Sequence, residues 1–125
     1  MPSVRILLVE DNEVFRDALE LLLGMRDDVE VIASVGDGAA AVSAALEHHP
    51  DVVLMDYRLP ALDGIQATAQ VVAAMPDVAV VALTASADAA EREALIEAGA
   101  VACLAKDQEL DEIVGAILQA AAVAG

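Results

Sequence analysis

Five times along the chain, a run of four to six apolar residues gives way to a stretch with helical periodicity. Few folds accommodate that rhythm. The first run, Val4-Arg5-Ile6-Leu7-Leu8-Val9, is nearly continuous in apolar residues, as a strand covered on both faces requires. A helix is expected over residues 12–25, with Phe15, Ala18, Leu19, Leu22 and Leu23 on one stripe and Gly24 near its end. Further strands are expected at 29–33, 52–55, 78–83 and 101–104, and further helices at 38–48, 65–75, 88–98 and 109–123. Pro50 breaks the chain after the second helix, and Pro76-Asp77 makes a turn. Five βα units with short connections imply an α/β fold, a doubly wound parallel sheet covered on both faces by helices.

A chain of 125 residues suits one domain with a real core, and residues 1–125 are taken as that domain. With 58% hydrophobic but only 2% aromatic residues, the core must be aliphatic. Mean hydropathy is +0.61, yet no apolar run approaches the roughly 20 residues that span a bilayer. Arg5 and Glu10 flank a stretch too short for a signal peptide. A single cysteine, Cys103, excludes an internal disulfide and suits a reducing cytoplasm. The net charge of -16, from 22 acidic and 6 basic residues, repels nucleic acid and makes these residues a poor DNA binder. Most of those charges belong on solvated helix faces. The exceptions have to be found by position.

Parallel α/β sheets take ligands at the carboxyl ends of their strands. The first strand runs into Glu10-Asp11, the third into Asp56, the fourth into Thr84 and the fifth into Lys106. Each has a bland explanation: Asp11 and Asn12 as a helix cap, Thr84 as a turn hydroxyl, Lys106 as a surface lysine. Taken together, they put three carboxylates, a hydroxyl and an ammonium at one edge of the sheet. Crowded carboxylates disfavour each other's ionised form. A hard divalent cation relieves this, and Mg2+ is usually held by one or two carboxylates plus phosphate oxygens. A carboxylate also attacks phosphorus to form an acyl phosphate. Lys106 and the metal would neutralise the transferred group, and Thr84 would donate a hydrogen bond to it.

The stretches Val9-Glu10-Asp11-Asn12, Asp51 through Pro60, Asp63-Gly64, Leu83-Thr84-Ala85-Ser86 and Gly99 through Lys106 resemble the receiver domain of bacterial response regulators. The resemblance covers essentially the whole chain. It implies a flavodoxin-like fold with strand order 2-1-3-4-5. It also implies that Asp56 is the phosphoacceptor, served by a sensor histidine kinase. Glu10 and Asp11 would be the acidic pair that binds Mg2+ with Asp56 and the backbone carbonyl of Arg58. Thr84 and Lys106 would sense the phosphoryl group, and Arg58 and Ser86 would tune its lifetime. Lys106-Asp107 with Glu109-Leu110 and Ile113 looks like the NarL/LuxR-type branch, which implies transcriptional output and homodimerisation on phosphorylation. DNA would then be met only through an output domain absent from residues 1–125, and no membrane contact is expected.

Two positions depart from the family pattern. Cys103 stands where a Tyr or Phe is common, so the aromatic relay beyond Thr84 cannot operate there; its bland reading is a small buried hydrophobe. Lys106-Asp107 replaces a frequent Lys-Pro, and no cis bond is carried across. Two rival functions stay open at this level. One is a receiver-like interaction module that is not phosphorylated. The other is an aspartyl-nucleophile phosphatase, disfavoured because its general acid would sit where Arg58 stands.

Overall fold

In the computed structural model, which describes residues 3–59, 63–85 and 88–124, the alternation is regular. The order is β1 (Val4–Val9), α1 (Glu13–Gly24), β2 (Val29–Val35), α2 (Gly38–His48), β3 (Val52–Asp56), α3 (Gly64–Ala74), β4 (Ala79–Thr84), α4 (Ala89–Ala98), β5 (Ala102–Ala105) and α5 (Leu110–Ala124). All strand pairs are parallel, in the order β2-β1-β3-β4-β5.

The apolar runs of β1, β3 and β4 are continuous because successive side chains feed two different cores. Ile6, Leu8, Leu54, Val81 and Leu83 face one layer, built with Leu19 and Leu23 of α1 and Ile113, Val114 and Ile117 of α5. Leu7, Val9, Val53, Met55, Val80 and Ala82 face the other, closed by Ala41, Ala44 and Ala45 of α2, Ala67 and Val71 of α3, and Leu95 of α4. Alanine on α2 and α3 lets those helices lie close to the sheet. On α1 the buried stripe is narrower than its periodicity suggests. Leu19 and Leu23 are buried, whereas Ala18 and Leu22 are exposed and Phe15 lies between.

Acidic and amide side chains fix the helix starts. Asn12, Asp37, Asp63 and Asp88 accept from the amides of Phe15, Ala40, Gln66 and Ala90 at 3.0, 2.7, 2.8 and 2.8 Å. Three of the 22 acids are therefore caps, each stabilising its helix by about 1 kcal/mol. Asn12 caps α1 rather than opening it, which leaves Asp11 free for another role.

Strands extend further toward the carboxyl edge than apolar runs alone indicate: β2 to Val35, β3 to Asp56, β4 to Thr84 and β5 to Ala105. The ladder carries them, since Asp56 is in register with Leu83 and Thr84 with Ala105. Two functional candidates are thereby held in sheet backbone instead of loop. No cis peptide occurs among the described residues. Ser86 and Pro60 lie outside the described residues.

At the opposite edge, the α2 carboxyl terminus is capped by Arg5, which donates to the carbonyls of His49 and His48 at 2.7 and 2.9 Å. His49 there takes a left-handed conformation, φ 49°. A side chain bearing Cβ is strained in that region and glycine is not. His49→Gly is expected to raise stability by about 0.5–1 kcal/mol in urea unfolding; a lower midpoint would show that the imidazole has a structural task.

Candidate functional site

Three carboxylates meet at the carboxyl edge. Oxygens of Glu10, Asp11 and Asp56 lie within 4.8 Å of one another. Glu10 follows β1 and is 1% exposed; Asp56 ends β3 and is 3% exposed; Asp11 faces solvent. The chain places Lys106 among them. Its Nζ lies 2.6 Å from Glu10 Oε1 and 3.2 Å from Asp56 Oδ2. Its backbone N–H donates to the Thr84 carbonyl at 2.8 Å, tying the end of β5 to the end of β4. Thr84 is itself buried at the end of β4. So four side chains from three strand ends, Glu10, Asp11, Asp56 and Lys106, do converge, with Thr84 tied to Lys106 through its backbone, and Lys106 is no ordinary surface lysine.

The electrostatics follow from burial. Asp56 is pushed up to about 7, first by loss of water and then by the neighbouring Glu10 carboxyl, with Lys106 pulling the other way. For Glu10, burial also favours the neutral form. Its hydrogen bond to Asp56, the Lys106 ammonium and the Asn12 amide outweigh that, and its carboxyl is held below the usual range. Asn12 N–H donates to Glu10 Oε2 at 3.1 Å. The pair therefore shares a proton near neutrality, with Glu10 the ionised member. Lys106 is raised: burial opposes its charge, but Glu10 and Asp56 hold the proton on it.

Arg58, two residues past Asp56, donates its backbone N–H to Asp56 Oδ1 at 3.3 Å. With Asp11, Tyr57, Leu59 and Asp63 it lines an open cleft of about 440 Å3, which Asp11 alone of the three clustered carboxylates reaches. A larger groove, about 730 Å3, runs along β2 beside Glu20 and Arg26 and contains none of these residues. Cys103 is half-buried against the second core, and burial pushes its thiol up, as befits a small hydrophobe. Tyr57 packs on the same core.

Sequence reasoning missed two supports. Phe15 counted only as one of a helical stripe, yet its ring centroid lies 4.9 Å from the Lys106 ammonium. Gly64 counted only within the Asp63-Gly64 stretch of the resemblance, yet it sits against the backbone of Asp56 and Tyr57. Both contacts join segments distant in sequence, and no local signal carries them.

Residues 6–118 match the model of the response regulator receiver domain. The chain belongs to that family. It is 39% identical over 114 residues to the transcriptional regulatory protein LiaR of Bacillus subtilis, covering 91% of this chain and 54% of that protein. The receiver thus spans about half the length of such relatives, which are NarL/LuxR-type transcriptional regulators. Among solved structures, the signal receiver domain of a NarL response regulator from Mycobacterium tuberculosis superposes with TM-score 0.93 at 34% identity, covering 98% of both chains. The receiver domain of a Pseudomonas aeruginosa sensor histidine kinase, described with a magnesium ion in its active-site cleft, gives 0.82 at 35% identity, covering 97% of this chain and 99% of that one. The strand order of this receiver is the one expected from the resemblance.

Proposed function

We propose that this receiver is a phosphorylation switch in which Asp56 takes a phosphoryl group from a phosphohistidine of a sensor histidine kinase. The observation that carries the reading is the setting of Asp56: a buried carboxylate at a strand end, with an ammonium and two further acids around it, one of which, Asp11, opens onto a cleft. A carboxylate oxygen of Asp56 forms the new O–P bond as the P–N bond breaks, and the imidazole leaves with the electron pair. Lys106 stays within reach of the transferred oxygens, and the Thr84 hydroxyl donates to one of them.

The residues fit a Mg2+ ion. Glu10 and Asp56 share a proton beside a single ammonium, and Asp11 adds an uncompensated carboxylate, so a divalent cation in place of that proton would balance the cluster. Glu10, Asp11, Asp56 and the Arg58 carbonyl would hold it, in line with the magnesium described for the Pseudomonas relative. When bound, Mg2+ would neutralise charge on the phosphoryl oxygens. Phosphorylation then shifts the population of the α4–β5–α5 face. With Cys103 there, the shift runs without an aromatic relay at that position. Output in the relatives is transcriptional, so we assign DNA contact to a domain other than residues 1–125, homodimerisation to the phosphorylated state and the cytoplasm as the compartment. The receiver assists its own phosphorylation and dephosphorylation and acts on no separate substrate.

Radiolabelled acetyl phosphate with Mg2+ should label the wild-type chain in an acid-stable, hydroxylamine-sensitive form, and Asp56→Asn should lose that label. Beryllofluoride should perturb the amide spectrum only when Mg2+ is present. Normal labelling of Asp56→Asn would overturn the assignment, and indifference to beryllofluoride would favour an unphosphorylated interaction module.

A further inference from the structure

Phe15 is the only phenylalanine in the chain, and it lies where a lysine must be held still. Lysine carries about 2 kcal/mol of rotamer entropy on a flexible stem. Beside Lys106 an apolar groove of about 120 Å3, lined in part by Ala18, Leu22, Leu110 and Ile113, offers its methylenes another place to lie. Within this geometry a closed circuit of contacts resists that swing. Glu10 Oε2 accepts from Asn12 N–H at 3.1 Å, and Asn12 Oδ1 accepts from Phe15 N–H at 3.0 Å. The Phe15 ring meets the ammonium, and the ammonium returns to Glu10 Oε1 at 2.6 Å. Asn12 therefore fixes the backbone that carries the ring through its side chain and anchors the acid through its own N–H.

We propose that Phe15 is a positioning residue for phosphotransfer, its π face holding the Lys106 ammonium over Asp56 ready for the incoming phosphoryl oxygens. The proposal deepens the phosphoacceptor reading and rests on it. An aromatic face attracts a cation electrostatically, most strongly where water is scarce, and Lys106 is only 20% exposed. The bland alternative is packing, because Phe15 also touches the first core. The two differ in what they need. Packing needs volume, whereas positioning needs electron density on the ring face.

A lone phenylalanine makes the distinction measurable, because growth on fluorinated phenylalanines alters this ring and no other. Mono-, di- and trifluorinated rings keep nearly the same shape while draining the π face. Labelling by acetyl phosphate should slow in graded fashion, reaching about 3- to 10-fold for the trifluorinated ring, at nearly constant melting temperature. Phe15→Tyr should retain the wild-type rate and Phe15→Leu should not. A second readout needs neither metal nor phosphodonor: the Lys106 ε-methylene protons should show an upfield ring-current shift that Phe15→Leu abolishes. A flat rate across the fluorinated series, with label on the wild type and none on Asp56→Asn, would overturn the positioning role alone. Absence of label on the wild type would overturn the phosphoacceptor reading and this inference with it.

Discussion

Gly64→Ala should destabilise the domain by about 3 kcal/mol and lower its melting temperature by roughly 10 °C. An added Cβ would lie 2.4 Å from the Asp56 carbonyl oxygen, 2.7 Å from Tyr57 Cα and 2.9 Å from the Tyr57 carbonyl oxygen. All three obstacles are backbone. No rotamer change can clear them, so the start of α3 must lift away from the end of β3. That movement stretches the Gly64 N–H bond to Tyr57 O, now 2.9 Å, which closes the loop carrying Arg58. It also disturbs the strand end that fixes Asp56, itself bonded onward through Tyr57 N–H to Leu83 O at 2.9 Å. Gly115 supplies the control. It sits on the exposed side of α5, and a Cβ there meets nothing within 4 Å. Gly115→Ala should therefore stabilise by up to about 1 kcal/mol through helix propensity. The same chemical change, with opposite signs at two sites, separates close approach from a general effect of alanine. Equal melting temperatures for Gly64→Ala and wild type would show that the turn yields without cost.

The contrast between these glycines also marks how far the sequence can be read. The sheet was legible because apolar runs of β1, β3 and β4 are continuous, a pattern that only two-sided burial explains. Glu10, Asp11, Asp56, Thr84 and Lys106 were legible because their chemistry is conspicuous at the end of such runs. What a run cannot show is where pairing stops. Asp56 and Thr84 are polar, so apolar patterning ends one residue too early, and the ladder to β4 and β5 extends the strands over them. Phe15 and Gly64 were less legible still. A helical stripe says that Phe15 faces inward but not that it meets a lysine from the far end of the chain. Nothing near Gly64 in sequence announces the carbonyl that excludes a methyl group. Residues whose role is a non-local contact emerge only once the fold has brought the partners together.

Asp56→Asn should make the metal-free domain more stable at neutral and alkaline pH, by roughly 2 kcal/mol, while abolishing its role as phosphoacceptor. The direction follows from proton counting. Asp56 titrates at 3.8 in an unfolded chain and at about 7 in the folded one, because burial and Glu10 disfavour its charge. Between those values the folded state binds more protons than the unfolded state. Stability therefore falls as pH rises from about 4 to about 7, and the loss is complete above that. An asparagine has no such proton to lose. Its amide donates toward Glu10 as the protonated aspartic acid does, and its carbonyl accepts from Arg58 N–H in place of Oδ1. Lys106 then keeps one full partner, Glu10 at 2.6 Å, instead of dividing its charge between two acids. The full shift, in which the opposing pull of Lys106 is already counted, would be worth about 4 kcal/mol at 1.36 kcal/mol per unit, and relaxation of the site around a buried charge brings the expected gain down to roughly half. Urea unfolding of both proteins at pH 4.5 and pH 8, in chelator, tests this. The gap should be small at the lower pH and widen at the higher. Titrating in Mg2+ should narrow it again, since a ligand bound to the folded carboxylates stabilises the wild type by mass action and the asparagine variant far less. A gap that is independent of pH would mean that Asp56 is ionised throughout and that the site is not strained by its own charge.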